Sequence, residues 1–248
     1  YEISLGLVGS EMCIRDRTLL DLMAGSRESP RTACPAPSQY LEQFEEGKDT
    51  YIVTLSAALS GSYNVAMQAR AIYREEGGRG NVHVFNSRSA SAGQAQIALL
   101  IHQLASAGES FQWVVETVEA YISRMHTMFV LENLDNLRKN GRMTRVQSLV
   151  TGTLRVKLLM GGTREGEIEK LGQGLSMRQT LAKMVGRIAE QADHVGRRLV
   201  IAHCNCRERA EQVRDMVRQR CDFGEILIVP TGGISTVYAS DGGIVIAY

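Results

Sequence analysis

The chain has 248 residues, of which 44% are hydrophobic, and its formal net charge is +1. That length supports a sizeable core in one large or two smaller domains. The near-neutral charge and the 6% of aromatic residues exclude a broad basic, base-stacking surface, so no nucleic-acid partner is expected. Because no apolar run approaches the length of a membrane span and no signal peptide is recognisable, we expect a soluble, cytoplasmic protein that is not integral to a membrane.

The first segment, YEISLGLVGSEMCIRDR, differs in pattern from the rest of the chain. It shows no sustained period of about 2 or 3.6 residues, and its MCIRDR piece resembles a translated sequencing adapter. An ordinary, poorly patterned N-terminus is the alternative. We interpret residues 1–17 as a non-native tract that should bury little apolar surface and add no central strand.

Strands and helices alternate in the following part of the chain. Ser38 and Ser110 are predicted to open helices, and Gly25, Gly47 and Gly108 to end them. Helices are predicted over residues 18–25, 38–47, 62–77, 91–108 and 110–126, and strands over residues 50–58 and 81–87. This alternation predicts a first domain, residues 18–126, with a parallel sheet.

The pattern changes after residue 126, where a Gly-rich turn joins two strands in a predicted hairpin over residues 155–172. Further strands are predicted over residues 127–132, 198–204, 225–231 and 241–248, and helices over residues 133–143, 144–154, 176–195 and 206–221. A hairpin combined with helices predicts a mixed sheet, and therefore a second α/β domain over residues 127–248.

The turn LSGSY lies between a predicted strand and a predicted helix. Gly61 permits close approach of a ligand, the helix start offers unpaired N–H groups, and Ser60 and Ser62 add hydroxyl groups. The turn therefore suits a carboxylate or a phosphate, although a serine there is more often only a helix cap. The spacing matches neither a phosphate-binding P-loop nor a nucleophile elbow.

Five cysteines form no regular framework and are expected to be reduced thiols: Cys13, Cys34, Cys204, Cys206 and Cys221. The sequence HCNC, from His203 to Cys206, is compatible with a metal site, but no second pair of ligands occurs at zinc-like spacing. We interpret it as the end of a strand, and expect neither a metal nor a cofactor.

Six motifs, taken in order, resemble the DegV family, the fatty-acid-binding proteins of bacteria. The resemblance runs from about Thr18 to Tyr248 and rests on the following motifs: PRTACP, TLSAALSGSYNVAMQA, VHVFNSRSASAG, FVLENLDNLRKNGRMTRVQSLVTGTLRVKLLM, GEIEKLGQGLSMRQTLAKM and VYASDGGIVIAY. It implies a parallel α/β first domain and a mixed-sheet α/β second domain, with a ligand cleft between them and an acyl chain in an apolar tunnel.

The same resemblance implies that the carboxylate head of the fatty acid contacts five residues. These are Thr32, Ser60, the Gly61 backbone, Ser62 and, as cationic partner, Arg178. Tyr238 stands where the family usually has a histidine, and a phenol carries no positive charge at neutral pH. Arg142 is interpreted as a helix cap or an interface residue, with the structural role favoured.

Other departures from the family pattern are Ala33, Asn86 and Leu158. The opening strand with its TDS turn is also missing, which suggests an N-terminally truncated chain with an exposed sheet edge.

The resemblance implies a carrier that presents a long-chain fatty acid to a separate fatty acid kinase, whose product enters phospholipid synthesis. The carrier is expected not to be an enzyme, since the chain contains no phosphate-binding nucleotide loop. The alternative is a serine-dependent hydrolase or acyltransferase that uses Ser60 on a small acid or ester. Thr32 and Ser60 are expected to face one shared cavity in either case.

Overall fold

A computed structural model describes residues 16–26, 30–143, 146 and 156–248. In the first half of the chain the helices are α1 (Asp16–Gly25), α2 (Pro37–Leu41), α3 (Ser62–Glu75), α4 (Ala92–Ser106) and α5 (Phe111–Ile122), and the strands are β1 (Thr50–Thr54) and β2 (Val82–Asn86). β1 and β2 pair in parallel, as the alternation of strands and helices predicted. The side chain of Ser110 caps α5 by accepting a hydrogen bond from Trp113 N, also as predicted.

The second half builds a mixed sheet of six strands. Its helices are α6 (Asp135–Lys139), α7 (Met177–Ala189), α8 (Arg207–Arg218) and α9 (Gly233–Ala239), and its strands are β3 (Thr127–Val130), β4 (Lys157–Gly162), β5 (Ile168–Gly174), β6 (Arg198–His203), β7 (Glu225–Pro230) and β8 (Ile244–Ala247). The strand order is β5-β4-β3-β8-β6-β7. β4 and β5 form the predicted antiparallel hairpin, and only β6 and β7 run parallel within this sheet.

Alternating side chains give the six-stranded sheet two apolar faces. Met128, Val130 and Ile244 lie on the face covered by α7 and α8. Phe129 and Val245 lie on the opposite face, which packs against α4, α6 and α9. Such alternation follows from the two-residue period of a strand, and it means that residues on α7 and on α9 are separated by the sheet.

One buried amide ties α4 to this sheet. The Gln96 side chain is 1% exposed, and its Nε2 donates hydrogen bonds to the carbonyl oxygens of Arg198 (2.7 Å) and Ala247 (2.9 Å). α4 also contacts β1, so the helix lies between the two sheets. A buried amide is stable only when its donors are satisfied, and this pairing fixes the orientation of α4 on the sheet.

The structure differs from the sequence predictions at two helices, and some predictions fall outside the described residues. The helix predicted over residues 38–47 ends at Leu41, and its N-cap is Ala36 instead of Ser38, because Pro37 has the fixed φ that suits the first helical position. α9 was not predicted, since it is short and contains a glycine and β-branched residues. The predictions for residues 1–15 and for most of 144–154 lie outside the described ranges.

Within the described ranges, no helix is long and apolar enough to cross a membrane.

Candidate functional site

Four segments far apart in the sequence meet at the guanidinium group of Arg142. Its Nε donates to the Leu59 carbonyl oxygen at 3.0 Å, and one terminal nitrogen donates to Thr32 Oγ1 at 3.2 Å. The guanidinium carbon lies 4.5 Å from the ring centroid of Tyr238, a cation–π contact. Thr32 Oγ1 and the Tyr238 hydroxyl are 2.6 Å apart. We call Thr32, Leu59, Arg142 and Tyr238 the Arg142 cluster.

Local sequence explains how Arg142 is presented to this cluster. The preceding residue, Gly141, has a φ of +71° and ends α6 in the left-handed conformation, which costs glycine little. The Arg142 N–H then donates back to the Leu137 carbonyl oxygen at 2.9 Å. Asn136 and Asn140 hold the neighbouring segments, since their side chains donate to the carbonyl oxygens of Val237 (2.7 Å) and Pro30 (3.1 Å).

The serine turn adjoins the cluster directly after Leu59. Ser60 Oγ lies 2.9 Å from Ser62 Oγ and accepts a hydrogen bond from the Ser62 N–H at 3.2 Å. Gly61 is the N-cap of α3 and is exposed, whereas Ser62 is buried. An ideal Cβ at Gly61 would lie 3.6 Å from Cys34 Sγ, so the loop that carries Thr32 passes beside this turn. The helix start therefore remains a place where an anion is favoured.

An apolar cavity of about 100 Å³ opens beside the Arg142 cluster. Three members of the cluster line it, namely Leu59, Arg142 and Tyr238. The other side chains around it are mostly apolar, including Phe129, Leu131, Leu137, Ile168 and Val245, with Glu167 as the acidic residue of the lining. Thr32 and Ser60 do not line the cavity themselves but adjoin residues that do, since Thr32 contacts Arg142 and Tyr238 and Ser60 follows Leu59.

The charge of Arg142 has no carboxylate partner among the residues that the structure describes. Its recorded contacts are a carbonyl oxygen, a hydroxyl oxygen and an aromatic ring, all uncharged. A half-buried guanidinium group of this kind retains donors for an anion, and an arginine–carboxylate pair is both stronger and more directional than a neutral hydrogen bond. The site therefore combines a cation, a serine turn and an apolar cavity.

The sequence model of the DegV family, described as an uncharacterised protein family, matches residues 10–248. This chain belongs to the DegV family. Among curated DegV proteins, a DegV domain-containing protein of Streptococcus pneumoniae is 31% identical over 230 residues, which cover 93% of this chain and 82% of that protein. The recognition made from the motifs is thereby confirmed.

Solved DegV structures share the fold, and several are described with a bound fatty acid. A Ruminococcus gnavus protein, described with vaccenic acid, is 46% identical with a TM-score of 0.89, and the match covers 95% of this chain and 84% of that one. The Fatty Acid Kinase (Fak) B3 protein of Streptococcus pneumoniae, loaded with linoleic acid, is 30% identical with a TM-score of 0.86 and the same coverage. The DegV α/β fold predicted from the sequence is confirmed.

The structure places Arg178 away from the Arg142 cluster, contrary to the prediction that it meets the serine turn. It is exposed at the start of α7, and its neighbour Met177 packs into the apolar face that α7 and α8 share. Tyr238 packs against the opposite face of the sheet. Arg142, which the sequence analysis treated as mainly structural, is the cation that the fold brings to Thr32. The sequence signal for Arg142 was its position directly after Asn140-Gly141, because these residues are typical of a helix end.

Ser60 and His203 make separate contacts among the residues that the structure describes. No recorded hydrogen bond among the described residues joins Ser60 to a histidine. His203 Nδ1 accepts from the Cys206 N–H at 3.3 Å, which satisfies it within a turn. Burial raises the pKa of the Cys206 thiol to about 11, so this group stays protonated at neutral pH. The described residues include no group of three or more potential metal ligands.

Proposed function

We propose that this chain is a carrier for a long-chain fatty acid. The observation that carries the proposal is the Arg142 guanidinium group, which lacks a carboxylate partner among the described residues and lines an apolar cavity beside a serine turn. A fatty acid has the matching chemistry, since its carboxylate suits the guanidinium group and its acyl chain suits the apolar lining. The fatty acids in related DegV structures support this choice of ligand.

The carboxylate is held at the Arg142 cluster and the adjacent turn. Thr32, Tyr238, Ser60 and Ser62 supply hydroxyl groups, and the Gly61 backbone allows close approach. The acyl chain follows the apolar lining, where each buried methylene contributes about 0.8 kcal/mol. The acyl chain therefore supplies most of the affinity, and the charged end fixes the orientation of the ligand.

The bound fatty acid is presented to a partner fatty acid kinase that phosphorylates its carboxylate. The support is the relation to the Fak B3 protein, whose description names a fatty acid kinase. In this proposal the carrier itself is not an enzyme, needs no cofactor and works in the cytoplasm. The ligand lies between a first domain, residues 18–126, and a second domain, residues 127–248.

Two measurements on the purified protein test the carrier proposal. Mass spectrometry after denaturation should detect a co-purified long-chain fatty acid. After delipidation, titration should show tighter binding of the fatty acid than of its methyl ester, because only the acid pairs with Arg142. Equal binding of acid and ester would exclude a carboxylate site. If neither binds and a short ester is hydrolysed in a Ser60-dependent manner, the hydrolase alternative is correct.

A further inference from the structure

The ligand cavity adjoins a second, larger space. A cleft of about 770 Å³ lies between the ends of α4 and α5 and the starts of β6 and β7. Arg88, Thr127 and Gly162 line both this cleft and the cavity. The cavity measures only about 100 Å³, whereas pockets for small-molecule ligands typically measure about 300–1,000 Å³. A long acyl chain that starts at Arg142 therefore needs space beyond the cavity, and the cleft supplies it.

The boundary between the two spaces has room for an added carbon atom at Gly162. An ideal Cβ at Gly162 would have its nearest neighbours at 3.8 Å (Arg88 carbonyl oxygen) and 3.9 Å (Thr127 Cβ), which is ordinary van der Waals contact. Gly162 pairs with Ile168, a residue that lines the cavity, so it lies at the same part of the sheet. Thr127 Oγ1 is 2.6 Å from Ser89 Oγ, and this bond satisfies its hydroxyl group.

Arg88 is held at this boundary by its backbone. Its φ is +49°, which is uncommon for a residue with a side chain, and its N–H donates to Asn86 Oδ1 at 3.1 Å. An ideal Cβ at Gly166 would approach Arg88 Cα to 2.7 Å, so the hairpin turn packs closely against this residue. Unfavourable backbone conformations persist where the surroundings enforce them, and they concentrate at binding sites.

The cleft beyond Arg88 carries an excess of positive charge. Its acidic residues are already paired, since Asp193 contacts His126 (2.7 Å) and Arg197 (3.6 Å), and Glu225 contacts Arg198. Three further arginines line the cleft and are exposed, with no recorded carboxylate partner among the described residues: Arg88, Arg124 and Arg164. Such a group of guanidinium ions favours an anionic ligand end.

We infer that the far end of a bound acyl chain leaves the cavity past Thr127 and Gly162 and enters the arginine-lined cleft, so that the site accepts long-chain α,ω-dicarboxylic acids as well as simple fatty acids. This inference rests on the proposed carrier function. One carboxylate lies at the Arg142 cluster and the second lies among the arginines of the cleft. A tunnel closed at its far end would instead bury the second carboxylate without a partner, which is strongly unfavourable.

Titration of the delipidated protein with hexadecanoic and hexadecanedioic acid tests the inference. Open passage predicts dissociation constants within about tenfold of each other, whereas a closed end predicts that the diacid binds at least about a hundredfold more weakly. Arg124→Gln, which changes a residue that lines the cleft but not the cavity, should weaken the diacid about tenfold and leave the monoacid unchanged. Arg207→Gln is the matched control, because Arg207 is exposed on α8 and pairs with Glu211.

Filling the boundary gives a second, independent measurement. Gly162→Leu should weaken both long ligands more than tenfold, because the new side chain fills the boundary. Gly172→Leu is the control, since the nearest neighbour of an ideal Cβ there is also 3.8 Å away but belongs to Leu159 on the other face of the sheet. Normal monoacid binding with no diacid binding would refute the passage and leave the carrier function intact. Failure of both acids to bind would refute the carrier function, and the passage with it.

Discussion

Replacing Arg142 by glutamine is the most direct test of the site, with Arg178→Gln as its matched control. Arg142 makes two hydrogen bonds, at 3.0 and 3.2 Å, and one cation–π contact, whereas Arg178 is exposed on the opposite side of the sheet. A hydrogen bond to a charged group contributes about 1.5–3 kcal/mol, so Arg142→Gln should weaken fatty acid binding about tenfold to 150-fold. Arg178→Gln should leave the affinity unchanged.

The methyl ester separates lost binding from lost structure. Arg142 also joins the Thr32 loop, the turn after β1 and α9, so its removal should lower the free energy of unfolding by about 1–3 kcal/mol. A general loss of structure would weaken acid and ester equally. Loss of the carboxylate contact should instead weaken the acid and bring its dissociation constant close to that of the ester. If Arg178→Gln abolishes the preference for acid and Arg142→Gln preserves it, the assignment of the cation is wrong.

Three further changes test particular contacts. Tyr238→Phe removes the hydroxyl group 2.6 Å from Thr32 Oγ1 but keeps the ring beneath the guanidinium group, so unfolding in denaturant should show a loss of about 1 kcal/mol, and a gain would contradict the contact. Gly166→Ala should lower the free energy of unfolding by more than about 2 kcal/mol, because φ is +84° and the new Cβ would lie 2.3 Å from Ser56 Oγ. Gly108→Ala is the control: its φ is +81° but no atom lies within 4 Å of the new Cβ, so the free energy of unfolding should fall by only about 1 kcal/mol. Equal losses in the two variants would contradict the steric argument. Burial, assisted by the charge of Arg207, lowers the pKa of His203 below 6.5. The unfolded chain then binds this proton more readily, so stability is full above about pH 6.5 and falls as the pH decreases towards the folded-state pKa. His203→Gln should make the melting temperature less dependent on pH over that acidic range. An unchanged slope of melting temperature against pH would contradict this role of His203.

Local patterns in the sequence were sufficient to predict most secondary structure. Strands such as β1 and β6 show short apolar runs, and helices such as α5 show a serine cap followed by a helical period, and both signals depend only on near neighbours. The helix at Pro37 was predicted to be longer than it is, and α9 was missed. In both cases the local signal is weak, because a helix of five or seven residues has little periodicity.

The sequence by itself determined the order of elements, the family motifs and the candidate turn at Ser60 to Ser62. The family resemblance pointed to Arg178 as the cation at this turn and favoured a structural role for Arg142, although both lie near the end or start of a predicted helix. Only the tertiary structure decided this, by joining Thr32 to Tyr238 across 206 positions and by placing α7 on the other face of the sheet. The physical reason is that strand pairing and packing determine which side of a sheet a helix covers, and those contacts are formed between residues far apart in the chain.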